Sequence, residues 1–188
     1  MGTLRYIANT SLDGYVADAE GNFDWTDPTP QVHAAINALE RETRVELLGR
    51  RMYEVLKVWQ DITDTFFGRP AEPVEREFGE LWRGFDKIVY SRTLLDVDTP
   101  RTTLERSFDL DAVRELVAST DGVVTVGGAE LAGQALQAGL VSDLHLFVYP
   151  VVVGGGTSAL PHGMRLDLAW DRTETFPNGV VHLRYTVA

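Results

Sequence analysis

The stretch that most constrains this chain is Val123 to Leu140, VVTVGGAELAGQALQAGL. Val123-Val124-Thr125-Val126 reads as a buried strand, Gly127-Gly128 follow at once, and Ala129 to Ala138 read as a helix that stops at Gly139. In that helix Leu131, Ala132, Ala135 and Leu136 share one apolar face. A strand passing through two glycines into a helix builds an anion site. The glycines allow close backbone approach, and the first N–H groups and the positive end of the helix dipole converge on it. The junction therefore suits the pyrophosphate of a nucleotide. It equally suits an ordinary tight strand-to-helix turn, so other parts of the chain must decide.

Two further junctions bear on that choice. Val45 to Leu48 reads as a short strand ending in Gly49-Arg50-Arg51, with a short helix from Met52 to Val58. Cations at a helix start oppose the helix dipole, and an anion between them would relieve the cost; solvated arginines are the plain alternative. Lys87 to Tyr90 reads as a strand ending in Ser91-Arg92-Thr93. All three polar or glycine-rich junctions follow strands, and ligands of open α/β sheets bind at the carboxyl ends of strands. If the strands are neighbours, one phosphate-rich ligand could touch all three.

The rest of the chain sets the frame. Thr3 to Ala8 reads as a first strand, followed by NTSLDGYVADAEGNFDWTDPTP, a loop rich in turn residues. Loops of that length are more often functional than idle. This one carries Tyr15, Phe23 and Trp25. Thr29-Pro30 opens a helix in which Val32, Ile36 and Leu39 share a face. Gln60 to Pro73 reads as an irregular insertion whose Phe66-Phe67 either fold back or meet another subunit, and helices are expected over Val74–Trp82 and Leu110–Val117. Arg101 to Leu104 suits a short strand, Leu144 to Val153 a long one bent at Pro150, and Leu166 to Phe176 a strand or strand pair. Val181, Leu183, Tyr185 and Val187 alternate with polar residues in a last strand. Strand–helix alternation followed by strands alone predicts one domain over 1–188, a three-layer α/β/α with a mixed, mostly parallel central sheet and antiparallel C-terminal strands.

Composition excludes several functions. With no cysteine there is no disulfide, thiolate metal site or cysteine nucleophile. His33, His145, His162 and His182 are scattered, so no metal is expected. A net charge of −11 argues against nucleic acid as partner but leaves room for a small anion in a local cationic pocket. The N-terminus has no long apolar run, so neither leader nor anchor is expected, and a cytoplasmic location is. The glycine spacing is not that of a Rossmann fingerprint, and neither a P-loop nor a hydrolase elbow occurs.

With these pieces placed, the chain resembles the dihydrofolate reductase-like family. The resemblance is nearest to the reductase domain of the bifunctional riboflavin-biosynthesis deaminase–reductase and its stand-alone relatives. It rests on ANTSLDGYVA at Ala8–Ala17, ELLGRRMYE at Glu46–Glu54, IVYSR at Ile88–Arg92 and VTVGGAELAGQAL at Val124–Leu136. It implies NADPH as cofactor. Gly49, Arg50 and Arg51 would approach the 2′-phosphate and adenosine ribose, and Ser91 and Arg92 the adenine-side phosphate. Gly127, Gly128, Ala129, Glu130 and Leu131 would wrap the pyrophosphate, and Ala8, Val16 and Ala17 would line the nicotinamide pocket. Asp13 and Trp25 would face the substrate, with Asp13 and then Asp27 as candidates for the catalytic carboxylate; Asp13 also reads as a plain turn residue before Gly14. The loop from Asn9 to Asp27 would close over the reacting pair.

The implied activity is NADPH-dependent hydride transfer to a small heterocyclic or ribityl-type substrate. One specific form is 5-amino-6-(5-phosphoribosylamino)uracil reduction in riboflavin biosynthesis. Dihydrofolate or pterin reduction, a non-catalytic NADPH-binding module and a structural oligomerisation domain are the alternatives. The resemblance also implies a homodimer. One departure stands out: the turn after the Trp25 loop reads Pro30-Gln31-Val32, without the acid that dihydrofolate reductases carry there.

Overall fold

The computed structural model describes residues 2–188. In chain order its elements are β1 (Thr3–Thr10), β2 (Tyr15–Ala17), α1 (Pro30–Glu40), β3 (Thr43–Gly49), α2 (Arg50–Leu56), β4 (Thr65–Phe66), β5 (Arg69–Pro70), α3 (Pro73–Gly84), β6 (Asp86–Tyr90) and β7 (Thr102–Glu105). They continue with α4 (Leu110–Ser119), β8 (Val123–Gly127), α5 (Ala129–Gln137), β9 (Asp143–Val148), β10 (Thr157–Ser158), β11 (Leu168–Thr175) and β12 (Val181–Val187). Eight strands form one sheet in the order β11-β12-β9-β1-β8-β3-β6-β7. β9, β1, β8, β3, β6 and β7 pair in parallel, and β12 runs antiparallel to both its neighbours. This is the mixed α/β/α architecture expected from the alternation of elements.

Strand alternation sends side chains to two faces. On one, Leu4, Tyr6, Ala8, Leu47, Val124 and Val126 pack against α5 through Leu131, Ala132, Ala135 and Leu136. On the other, Phe147 and Tyr149 pack with Val32 of α1, while Leu48 and Val89 pack with Tyr53 of α2 and Trp82 of α3. Each fully buried aliphatic or aromatic side chain contributes about 1.5–3 kcal/mol. Caps end the helices where the sequence places them. Thr29 Oγ1 accepts from the Val32 amide at 3.5 Å, Pro30 occupies the first turn of α1, and Asp109 accepts from the amides of Asp111 and Ala112. Among the described residues no helix is long and apolar enough to cross a membrane.

The long strand expected from Leu144 to Val153 ends at Val148. Tyr149 still donates its amide to Thr10 O at 2.7 Å, but Pro150 has no N–H, and the chain tightens around it through Val151 N to Tyr149 O at 2.8 Å. The insertion at Gln60 to Pro73 contains the β4–β5 hairpin. Phe66 folds back and stacks on Trp59 at 4.6 Å, whereas Phe67, at φ 48 in the turn, points outward.

The face under α1 and α3 carries a buried polar row. Lys87 pairs with Glu46, Glu46 with Thr125, and Thr125 with Arg5 in the strand register. Lys87 Nζ donates to the carbonyls of Trp82 and Phe85 at 2.9 and 3.0 Å. Nearby Glu40 accepts from the Thr43 hydroxyl at 2.8 Å, and burial pushes its carboxyl up from 4.5 to about 6. The folded protein therefore keeps a proton on Glu40 that the unfolded chain releases, and stability falls as pH rises from 4.5 to about 6. Glu40→Gln keeps the acceptor for Thr43 and removes the charge. It should match wild type in thermal unfolding near pH 4 and exceed it at pH 8 by on the order of 1–2 kcal/mol. A difference that does not change with pH contradicts this account.

Candidate active site

The sheet order places β8, β3 and β6 side by side, so the three polar junctions lie next to one another along the carboxyl edge. At the first, Gly128 takes φ +99 as the residue before α5, a conformation that L side chains rarely adopt. The first intrahelical bond runs from Ala132 N to Gly128 O, so the amides of Ala129, Glu130 and Leu131 precede the helical ladder, and no side chain caps them. Gly127 is held by packing: a Cβ there would lie 2.7 Å from Leu48 Cδ2 and 3.1 Å from Met52 Cγ. Leu48 and Met52 belong to β3 and α2, so the first two junctions are in contact.

At the second junction Gly49 precedes α2, with Arg50 and Arg51 both exposed. Arg50 reaches Glu54 one turn on at 3.3 Å; Arg51 has no hydrogen-bond or ion-pair partner among the described residues. At the third, Ser91 is buried and its hydroxyl accepts from the amides of Thr93 and Leu94 at 3.2 and 3.0 Å. That hydroxyl shapes its own loop. Arg92 is exposed and has no partner among the described residues. The loop is strapped by Arg106, which donates to the carbonyls of Ser91, Leu94 and Leu95. Arg106 carries little signal in the sequence, being only a cation just after the short strand β7.

Next to β8 in the sheet comes β1. Ala8, on the α5 face near its carboxyl end, and Val16 join the same apolar cluster, and Ala17 is half-buried beside them. The segment after β1 is knitted to the segment after β9. β2 pairs with β10 through Ala17–Thr157 and Tyr15–Ser158, Leu12 N donates to Val151 O at 2.7 Å, and Ala159 N to Gly14 O at 2.9 Å. Asp13 belongs to this seam. Its carboxylate accepts from Val153 N at 3.2 Å and Gly154 N at 2.8 Å. The Ser11 hydroxyl, then the Gly154 and Val153 amides, hold it below the usual carboxylate value. Gly156 lies at the same seam, where a Cβ would sit 2.1 Å from Ala17 O.

Trp25 and Asp27 lie on the opposite, α1 side. Trp25 meets Tyr149 edge-on with ring centroids 6.1 Å apart. Asp27 is exposed, and its charge is felt by Tyr149, His33 and Arg69. The structure thus groups Ala8, Val16 and Ala17 on one side of the β1 end and Trp25 and Asp27 on the other, with Asp13 engaged in the seam. An open hollow of ≈ 510 Å³ lies elsewhere, at the amino ends of β3 and β6. Of its three arginines, Arg41 and Arg101 are paired with Glu77 and Asp86, while Arg44 has no ion pair among the described residues.

Comparison with known proteins agrees with this fold. The chain is 27% identical to protein YyaP of Bacillus subtilis (strain 168), described as uncharacterized, over 180 residues that cover 93% of this chain and 89% of that one. A solved structure from Shewanella sp. PV-4, provisionally named a riboflavin biosynthesis protein, superposes with a TM-score of 0.75 at 20% identity, covering 100% of this chain and 99% of the other. Dihydrofolate reductase from Enterococcus faecalis, solved with NADP(H) and RAB-propyl, superposes with a TM-score of 0.64 at 15% identity, covering 99% and 96%. These likenesses establish a dihydrofolate reductase-like fold. The family model described as RibD C-terminal domain matches residues 3–182, and the chain belongs to that family.

Proposed function

We propose that this protein is an NADPH-dependent reductase that transfers hydride to a small planar heterocycle, its single domain spanning 1–188. One observation carries the reading: β1, β8, β3 and β6 are consecutive in the sheet. Their carboxyl ends line up the expected nicotinamide pocket (Ala8, Val16, Ala17), the free amides of Ala129, Glu130 and Leu131, and the unpaired Arg51 and Arg92. Three interstrand steps span roughly 14 Å, room for a dinucleotide laid across them.

The residues present fit NADPH. Amides at a helix start with no acceptor, behind a glycine at φ +99, suit a pyrophosphate. An exposed arginine without a carboxylate partner suits a phosphate dianion. When bound, NADPH supplies the hydride. The chain's part is orientation: the β2–β10 seam fixes one wall of the nicotinamide pocket, and Asp13 holds that seam by binding two amides. Asp13 therefore acts as a positioning residue, and Asp27 remains the carboxylate candidate on the substrate side. Because residues 11–17 are tied down, closure over the substrate falls to the segment from Asp18 to Asp27.

Calorimetric titration tests the reading. Arg51→Ala should weaken NADPH by about 1–3 kcal/mol and NADH by much less. Arg50→Ala should cost less than Arg51→Ala, since Arg50 is shared with Glu54. Equal losses for NADPH and NADH would sink the 2′-phosphate assignment.

A further inference from the structure

We propose that the Tyr149 hydroxyl and the Trp25 indole N–H form a donor pair that receives a carbonyl oxygen of the heterocyclic substrate and so sets its specificity. The proposal rests on the reductase reading above and deepens it. Both donors are buried and neither Tyr149 Oη nor Trp25 Nε1 has a hydrogen-bond partner among the described residues. Native proteins rarely leave such groups unmatched. The two rings touch edge-on, and Tyr149 as a whole is 3% exposed.

Their place in the fold points to the substrate. The Tyr149 amide donates to Thr10 O, so its side chain leaves the sheet at the carboxyl end of β1, on the α1 face. The expected nicotinamide residues Ala8 and Val16 lie at the same strand end on the α5 face. Val32, Phe147, Phe176 and Val180, which pack with the pair, carry no side-chain acceptor. Asp27 is near enough for its charge to be felt but makes no hydrogen bond to Tyr149. Burial first, then Asp27, raises the Tyr149 pKa, so the hydroxyl keeps its proton at neutral pH and acts as a donor. Asn9 Oδ1, on the same face of β1 near its end, is also buried without a partner and could take up an adjoining ring N–H.

Two donors beside an acceptor match a lactam edge, a carbonyl oxygen next to a ring N–H. They mismatch an amidine edge, which presents donors where this site also presents donors. A site built to hydrogen-bond one partner discriminates strongly against an analogue that leaves its buried groups unpaired.

The test uses two probes of similar shape, 5,6-diaminouracil and 2,4,5,6-tetraaminopyrimidine, titrated into the full chain saturated with NADPH. Calorimetry serves as the readout. The wild type should bind the diaminouracil roughly 10-fold tighter or more. Tyr149→Phe should lower that affinity, leave the tetraaminopyrimidine unchanged, bring the ratio toward one and leave NADPH affinity intact. Ligand-free Tyr149→Phe should also melt no lower than wild type, because it removes an unpaired buried hydroxyl. A lower melting temperature, equal changes for both probes, or no preference in the wild type would overturn the donor pair. Failure of NADPH to bind at all would instead overturn the reductase reading, and the melting comparison would still judge the state of the hydroxyl.

Discussion

Gly128→Val should weaken NADPH binding by roughly 10- to 100-fold while leaving the protein folded. Gly128 sits at φ +99 and ψ 129, where a β-branched residue costs of order 1–3 kcal/mol. Space is not the obstacle, since the nearest atom to a new Cβ is Met52 Cβ at 3.8 Å. The backbone must therefore rotate to relieve the strain. That rotation swings the Ala129, Glu130 and Leu131 amides away from the point where they converge, and hydrogen bonds to a charged group are worth about 1.5–3 kcal/mol each. Gly127→Ala acts differently. Its Cβ would press on Leu48 and Met52 side chains, which can shift, so the loss of affinity should be smaller. Calorimetry of the two variants beside thermal unfolding separates ligand loss from fold loss. Wild-type NADPH affinity in folded Gly128→Val would remove the pyrophosphate assignment.

Gly156→Ala should have the largest effect on stability and should cut the site in half. A Cβ there would lie 2.1 Å from Ala17 O and 2.4 and 2.6 Å from Asp18 backbone atoms, at φ +128. Backbone on the far side of the clash cannot rotate away as a side chain can. Overpacking and strain together predict a cost of about 2–5 kcal/mol, a melting temperature lower by roughly 5–20 °C, and separation of β2 from β10. The nicotinamide wall opens, but Arg51 and Arg92 stand two and three strands from β1 and keep their surroundings. Adenosine 2′,5′-bisphosphate should thus bind with wild-type affinity to the folded variant while NADPH affinity and turnover fall. Equal loss of both ligands would mean that the Gly154–Gly156 loop does not belong to the nicotinamide end.

What was legible in the sequence was local. Val123–Val126 followed by Gly127-Gly128 and a helix with apolar Leu131, Ala132, Ala135 and Leu136 formed as read, because strand, turn and amphipathic face are all encoded within fifteen or so neighbouring residues. The order of the strands was not legible, and on it depends whether the three junctions meet. Asp13 shows the same limit at one side chain. Its position before Gly14 suggested either a turn residue or a catalytic acid, yet its partners are amides at Val153 and Gly154, far along the chain. Ser91 carried a phosphate expectation, but its hydroxyl closes its own turn onto Thr93 and Leu94. Tyr149 was hidden inside an apolar run read as strand. Only the early end of β9, where Pro150 withholds an N–H, brings it to the edge of the site.

The central claim is that one dinucleotide lies across the carboxyl ends of β1, β8, β3 and β6. A crystal structure of the NADPH complex tests it most directly. The account predicts pyrophosphate oxygens within hydrogen-bonding distance of the Ala129, Glu130 and Leu131 amides, the 2′-phosphate between Arg51 and Arg92, and the nicotinamide beside Ala8 and Val16. NADPH seated instead at the opposite sheet edge, in the hollow lined by Arg41, Arg44 and Arg101, would contradict it.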